Sequence, residues 1–201
     1  MNKNKIILTT FFIVVFSSLI FLICYFEIPR VTYSYQKETD SYIVDYVYGN
    51  YKEFNVKEMH NGKKVTGIKR YAFSKQTKLE KITLSNNIIE IGELAFYKCK
   101  SLKEISFPSN VEIIRNNAFL GCENLENVYF RDNSNLKIIE GSAFFDCVNL
   151  TEVILPNTNN YSIGDYAFYN TNIKMLKVSA SSTVTYKNCL NSVNSNCIFY
   201  Y

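Results

Sequence analysis

The chain has 201 residues, 47% of them hydrophobic, a formal net charge of +4 and six cysteines. That length holds one ordinary domain and an appendage, and the apolar content argues against a wholly disordered chain. So small a positive excess, without any motif of a nucleic-acid-binding fold, gives no reason to expect nucleic acid as a partner.

Residues 6–26 carry no charge and follow Lys3 and Lys5. A helix of about 20 such residues crosses a bilayer core. A cleavable signal has a shorter apolar region, typically about 7 to 15 residues, and small residues at its end; nothing like Ala-x-Ala follows Phe21. The stretch is apolar all round, as a helix in lipid is, and the chain has no large core to hide it. An uncleaved transmembrane signal anchor is therefore favoured for residues 1–30. Two alternatives stay open: a cleaved signal, releasing a secreted protein, and a lipid anchor on Cys24, which bulky Ile23 disfavours. Lys3 and Lys5 against Glu27 and Arg30 place the N-terminus in the cytoplasm and the remainder outside. Residues 31–41 read as a short stalk and 42–67 as a cap. The one histidine, His60, lies in "EMHNGKK" and reads as an exposed turn residue. Residues 57–81 hold eight Lys and Arg against Glu58 and Glu80, a basic patch that suits anionic glycans or lipid headgroups if it is more than a solvated face.

From residue 68 a repeat takes over. Ala-Phe pairs stand at 72/73, 95/96, 118/119, 143/144 and 167/168, each with an Ile four residues before the Ala, at Ile68, Ile91, Ile114, Ile139 and Ile163. After each pair comes an L-x-x-I-x-L unit, as in Leu102, Ile105, Phe107 or Leu150, Val153, Leu155. Alternation of period two is a strand with one face inward, and recurrence every 23 to 25 residues is a solenoid. One such unit cannot bury its own apolar face, so its neighbours must. Equivalent Phe residues should then lie one above another, with Ala keeping the turn thin. Cys99, Cys122 and Cys147 recur three residues after the Phe and read as apolar packing rather than disulfides or metal ligands; Gln76 and Thr171 replace them in the outer repeats. Gly92 and Gly164 become Lys69, Arg115 and Glu140 in the other repeats, which makes an obligatory positive φ doubtful there. Asn160 breaks an apolar position, and Tyr161 is expected to fill it. In the tail, 181–201, Cys189 and Cys197 form a candidate disulfide for an oxidising compartment.

These residues, as in "IGELAFYKCKSLKEISFPSNVEIIRNNAFLGCENLENVYF", closely resemble the BspA-type leucine-rich repeat over about residues 42–180. "NGKKVTGI" is similar to the family's N-terminal cap. The resemblance implies a right-handed leucine-rich repeat solenoid, displayed at a microbial surface and associated with adhesion. Residues 68–180 would form about five repeats, with a parallel concave sheet and short helical or irregular turns on the convex side.

Thr83, Ser106, Tyr129, Ile154 and Lys177 fall between the inward apolar positions and should form one outward stripe for a protein or glycan ligand. Asn149 and Asn160 head N-glycosylation sequons that matter only in a glycosylating cell. One histidine, no phosphate loop, no G-x-S-x-G and no paired carboxylates leave no catalytic, metal or cofactor site to name. A membrane-anchored binding module leads, a structural protein assembling by solenoid stacking is the alternative, and an enzyme is the least supported.

Overall fold

The computed structural model describes residues 30–158, 161–177, 185–186 and 198–200. Residues 6–26, Cys24, Asn160 and the Cys189–Cys197 pair lie outside the described residues, and so do the expectations attached to them. Among the described residues no helix is long and apolar enough to cross a membrane.

The cap contains β1 (Arg30–Gln36), β2 (Ser41–Tyr48), β3 (Glu53–Asn55), β4 (Met59–His60) and β5 (Lys63–Ile68). The repeats follow as β6 (Lys81–Thr83), β7 (Glu90–Ile91), β8 (Glu104–Phe107), β9 (Ile113–Ile114), β10 (Asn127–Phe130) and β11 (Ile138–Ile139). Next come β12 (Glu152–Ile154), β13 (Ser162–Ile163), β14 (Met175–Lys177), β15 (Thr185–Tyr186) and β16 (Ile198–Tyr200). The L-x-x-I-x-L units supply β6, β8, β10, β12 and β14, and β8, β10, β12, β14 and β16 pair in that order into one parallel sheet. Its register puts Ile105, Val128, Val153 and Leu176 in one inward row, as the alternation requires. β3 and β6 form a parallel pair of the same kind.

The other side of each coil departs from the expected helical or irregular turns. There the Ile that precedes each Ala-Phe lies in a very short strand, and β5, β7, β9, β11, β13 and β15 make a second parallel ladder, extended by β2 and β1. Strands of two residues are too short to show a period, but Ile91, Ile114 and Ile139 in register bury one apolar side chain per coil. Residues 31–41, expected to be a stalk, are instead mostly strand β1 and the turn that joins it to β2. The tail contributes β15 and β16, so both ladders continue past the fifth Ala-Phe coil.

Between the ladders the Phe rings stack as the spacing demands. Phe73, Phe96, Phe119, Phe144 and Phe168 follow one another at centroid distances of 5.0, 4.9, 5.0 and 5.2 Å, within 12° of parallel. At the cap Phe54 meets Phe73 edge-on at 5.1 Å and ends the stack. Each Phe N–H donates to the carbonyl of the Ala one coil on, from Phe73 to Ala95, Phe96 to Ala118, Phe119 to Ala143 and Phe144 to Ala167. Fully buried Ala is therefore what lets adjacent turns approach to hydrogen-bonding distance.

These turns are neither helix nor coil of arbitrary shape. The residue before each Ala is left-handed, at Tyr71, Leu94, Asn117, Ser142 and Tyr166, and so is the residue two after each Phe, at Lys75, Lys98, Gly121, Asp146 and Asn170. Gly92 and Gly164 are not among them; a Cβ at Gly92 would lie 2.6 Å from the Ile68 carbonyl oxygen, and one at Gly164 would lie 2.6 Å from the Gly141 nitrogen. Glycine is needed there for close approach of coils rather than for positive φ.

Cys99, Cys122 and Cys147 are free and fully buried, with a role beyond packing. Their Sγ atoms donate to the carbonyls of Phe73, Phe96 and Phe119, one coil back, at 3.0, 3.1 and 3.3 Å. Gln76 does the same in the first repeat, its Nε2 donating to Val47 O at 2.9 Å, and Thr171 turns its hydroxyl to Phe168 O of its own coil at 2.8 Å. Burial pushes the Cys99 and Cys122 thiols well up from their usual range. Tyr161 is buried, in agreement with its expected substitution for Asn160. His60 is not an exposed turn residue: it lies on β4, stacked on Tyr33 at 4.0 Å and edge-on to Tyr42 at 4.7 Å.

Candidate partner-binding surface

Because side chains alternate along a strand, every inward Ile or Val on the even-numbered ladder leaves an outward neighbour on each side. The residue after it gives Ser106, Tyr129, Ile154 and Lys177, directly opposite one another across β8, β10, β12 and β14. Thr83 has the same position on β6, where it pairs with Asn55. Thr83, Ser106 and Lys177 are exposed, whereas Tyr129 and Ile154 are half-buried. The preceding outward row runs Glu104, Asn127, Glu152 and Met175. The two rows meet where the Tyr129 hydroxyl donates to Glu152 Oε2 at 3.0 Å. Partial burial raises the Tyr129 phenol above its ordinary pKa, and the bond to Glu152 adds to that, so it stays a neutral donor. Tyr129, Ile154 and Met175 thus form an apolar patch with a fixed polar edge. Asn149 is exposed, its Nδ2 donating to Asn124 Oδ1 at 3.3 Å.

The second ladder has a half-buried apolar pair of its own, Ile113 opposite Ile138, but the charges beside it are spent on one another. Arg115 Nε and Nη2 donate to the Glu90 carboxylate at 2.9 and 3.1 Å, and Nη1 donates to Glu140 Oε1 at 2.8 Å. The two carboxylates push the Arg115 pKa up. Lys137 pairs with Glu112 at 2.6 Å and Lys69 with Asp45 at 2.5 Å. The basic segment 57–81 is partly neutralised in the same way, by Lys63–Asp40, Lys69–Asp45 and Arg70–Glu93. Among the described residues no group of three His, Cys, Asp or Glu stands together to hold a metal ion.

One surface escapes a reading based on alternation. The residue after each repeat Phe is Ser74, Tyr97, Leu120, Phe145 or Tyr169, and these side chains are half-buried along the turn edge. Phe145 and Tyr169 stack at 5.0 Å, and Tyr71 and Tyr166 stand exposed beside the same row. The signal was an apolar or aromatic residue one place after the Phe in four of five repeats.

Among solved structures, the fold is similar to that of a leucine-rich repeat protein from T. pallidum, with 23% identity and a TM-score of 0.68 over 84% of this chain and 78% of that one. A leucine-rich repeat protein from Eubacterium ventriosum aligns at 25% identity and a TM-score of 0.57, over 84% of this chain and 51% of that one. A leucine rich cell surface protein from Faecalibacterium prausnitzii aligns at 19% identity and a TM-score of 0.53, over 85% and 55%. The chain thus spans about half the length of the latter two proteins. No curated protein sequence matches it. Six copies of the BspA type leucine rich repeat region match within residues 41–174 and 130–199, and the chain belongs to the BspA-type leucine-rich repeat family.

Proposed function

We propose that this protein is a surface-displayed binding module, held in a membrane by residues 6–26, that recognises a protein or glycan ligand through the outward row Thr83, Ser106, Tyr129, Ile154 and Lys177. Leucine-rich repeat proteins of this kind are generally interaction or adhesion modules, and one similar structure is named as a cell surface protein. The observation that carries the assignment is the apolar pair Tyr129 and Ile154, opposite one another on adjacent strands and incompletely covered by the protein itself. A rigid, half-exposed aromatic beside an aliphatic residue, fringed by polar groups, is the composition of an interface anchor.

Retention on protein and glycan arrays tests the reading, with Tyr129→Ala and Ile154→Ala as paired controls. Specific retention lost in both variants supports it; concentration-dependent self-association without any ligand would support assembly by stacking instead. Membrane topology is tested by adding protease to intact cells. Loss of an epitope within residues 82–170 fits outward display, and protection until the cells are permeabilised contradicts it.

A further inference from the structure

The cap and the first two coils meet along the turn edge in an open cleft of about 660 Å³, lined in part by Tyr46, Tyr48, Tyr71, Tyr97, Asn50 and Lys75. The fold explains why tyrosines gather there. Tyr46 stands one place before Val47, where every later coil has Ala. Val47 N–H donates to Ala72 O at 2.9 Å, so Val47 takes the Phe slot of the cap coil. With no earlier Ala-Phe coil pressing on it, the Ala slot admits a large ring. Tyr48 and Tyr97 follow their slot residues by one place, and Tyr71 precedes Ala72 in a left-handed conformation. Tyr46, Tyr48 and Tyr71 are 37%, 53% and 39% exposed, unusually open for large rings in one cleft. Tyr46 and Tyr48 pack edge-on at 4.8 Å, which sets their rings at an angle.

The polar part of the lining narrows the ligand. Among the described residues that line the cleft there is no carboxylate and Lys75 is the one charged group, while Arg70 and Lys98 lie over the Tyr71 and Tyr97 rings at 4.9 and 5.1 Å. Gln76 is 6% exposed, and its Nε2 is committed to Val47 O. Its Oε1 is a buried acceptor with no donor among the described residues. Oε1 is itself shielded from solvent, so an incoming hydroxyl reaches it only by parting the side chains above. A cation suits aromatic faces but would meet Lys75 with no counter-charge. A purely apolar ligand would leave Ser74 and Lys75 facing hydrocarbon, while the Asn50 amide is already bonded to Thr77 Oγ1 and to the Lys78 N–H. A sugar ring presents C–H faces to tyrosines and hydroxyls to the tyrosine and Ser74 hydroxyl groups, and a carboxylate on it would pair with Lys75. We infer that this cleft binds a saccharide that carries a carboxylate. The inference deepens the binding-module reading by assigning a ligand class to a different surface from the Tyr129 row, so the two can fail separately.

The test is calorimetric titration of the full chain with trigalacturonate and with sialyllactose, each against its neutral counterpart, galactotriose and lactose. Binding of an acidic sugar at least about tenfold tighter than its neutral counterpart is expected. Tyr48→Ala should abolish measurable binding. Lys75→Asn, chosen because Asn tolerates the left-handed φ of 61° at that position, should reduce the preference for the acidic sugar, with Arg70 and Lys98 beside the rings supplying what remains. Both variants should melt with the wild type, which excludes misfolding as the cause. Tyr129→Ala should leave this binding unchanged. Absence of saturable binding to both acidic sugars overturns the inference, as does equal affinity for the neutral ones. Loss in Tyr129→Ala with retention in Tyr48→Ala would move the sugar to the strand row and leave the binding-module reading standing.

Discussion

Two glycines separate two uses of the residue within one repeat protein. At Gly92 the neighbouring coil leaves no room for a methyl group, because a Cβ would sit 2.6 Å from Ile68 O and 2.7 Å from Arg70 N, both backbone atoms that cannot step aside cheaply. At Gly62 a Cβ would meet nothing within 4 Å, but φ is +76°. Gly92→Ala should therefore cost about 1 to 3 kcal/mol as coils are forced apart. Gly62→Ala should cost about 1 to 2 kcal/mol through conformation alone. Thermal unfolding measures both, and amide exchange distinguishes them: loss of protection on β5 and β7 belongs to Gly92→Ala only. The buried thiols make a second prediction at this scale. Cys99, Cys122 and Cys147 are fully buried and each is hydrogen-bonded to a carbonyl, and a thiol must ionise and be reached to react. Alkylation of the native protein followed by mass mapping should leave these three unmodified until denaturant is added. Modification of any of them in the native state would show that the coils open locally.

At the scale of the coil, the end of the Phe stack differs from its middle by ring contacts rather than by exposure. Phe119 stacks on both Phe96 and Phe144 and meets Phe107 edge-on at 5.8 Å, whereas Phe168 has only Phe144 as a described ring neighbour, yet both are fully buried. Phe119→Ala should cost about 3 to 5 kcal/mol. Phe168→Ala should cost less by about two aromatic pairs, roughly 1 to 3 kcal/mol. Near-zero loss for Phe168→Ala would mean that β15 and β16 do not close that end. The stack itself was legible in the sequence because a residue that recurs at fixed spacing in a solenoid must meet its own equivalents. The outward row was legible for the same reason, from the strict alternation around Ile105 and Val128. The second ladder was not, since two-residue strands such as Ile113–Ile114 have no period to read. The left-handed positions were not either: Tyr71, Leu94, Asn117, Ser142 and Tyr166 share no side-chain chemistry, because the backbone hydrogen bonds between coils impose their φ. The tyrosine cleft draws on the cap and two coils at once, and only the fold brings those rings together.

Across the whole molecule, the repeat divides into an interior that is architecture and outward rows left to solvent, of which the Tyr129 row is the one proposed for a partner. The second ladder's face is crossed by ion pairs that run from coil to coil, Glu90 to Arg115 to Glu140 and Glu112 to Lys137. Exposed networks of this kind contribute little stability, about 0 to 1 kcal/mol per pair. Tyr129 and Ile154 on the first ladder have no such cover, and cross-strand packing of Tyr129 with its neighbours is worth no more than about 0.2 to 1 kcal/mol. The most direct test of the division is a side-by-side measurement of melting temperature and ligand retention for Phe119→Ala and Tyr129→Ala. The account predicts a sharp fall in melting for Phe119→Ala, and for Tyr129→Ala near wild-type melting with loss of retention. Equal melting losses in the two variants, or full retention by Tyr129→Ala, would contradict it.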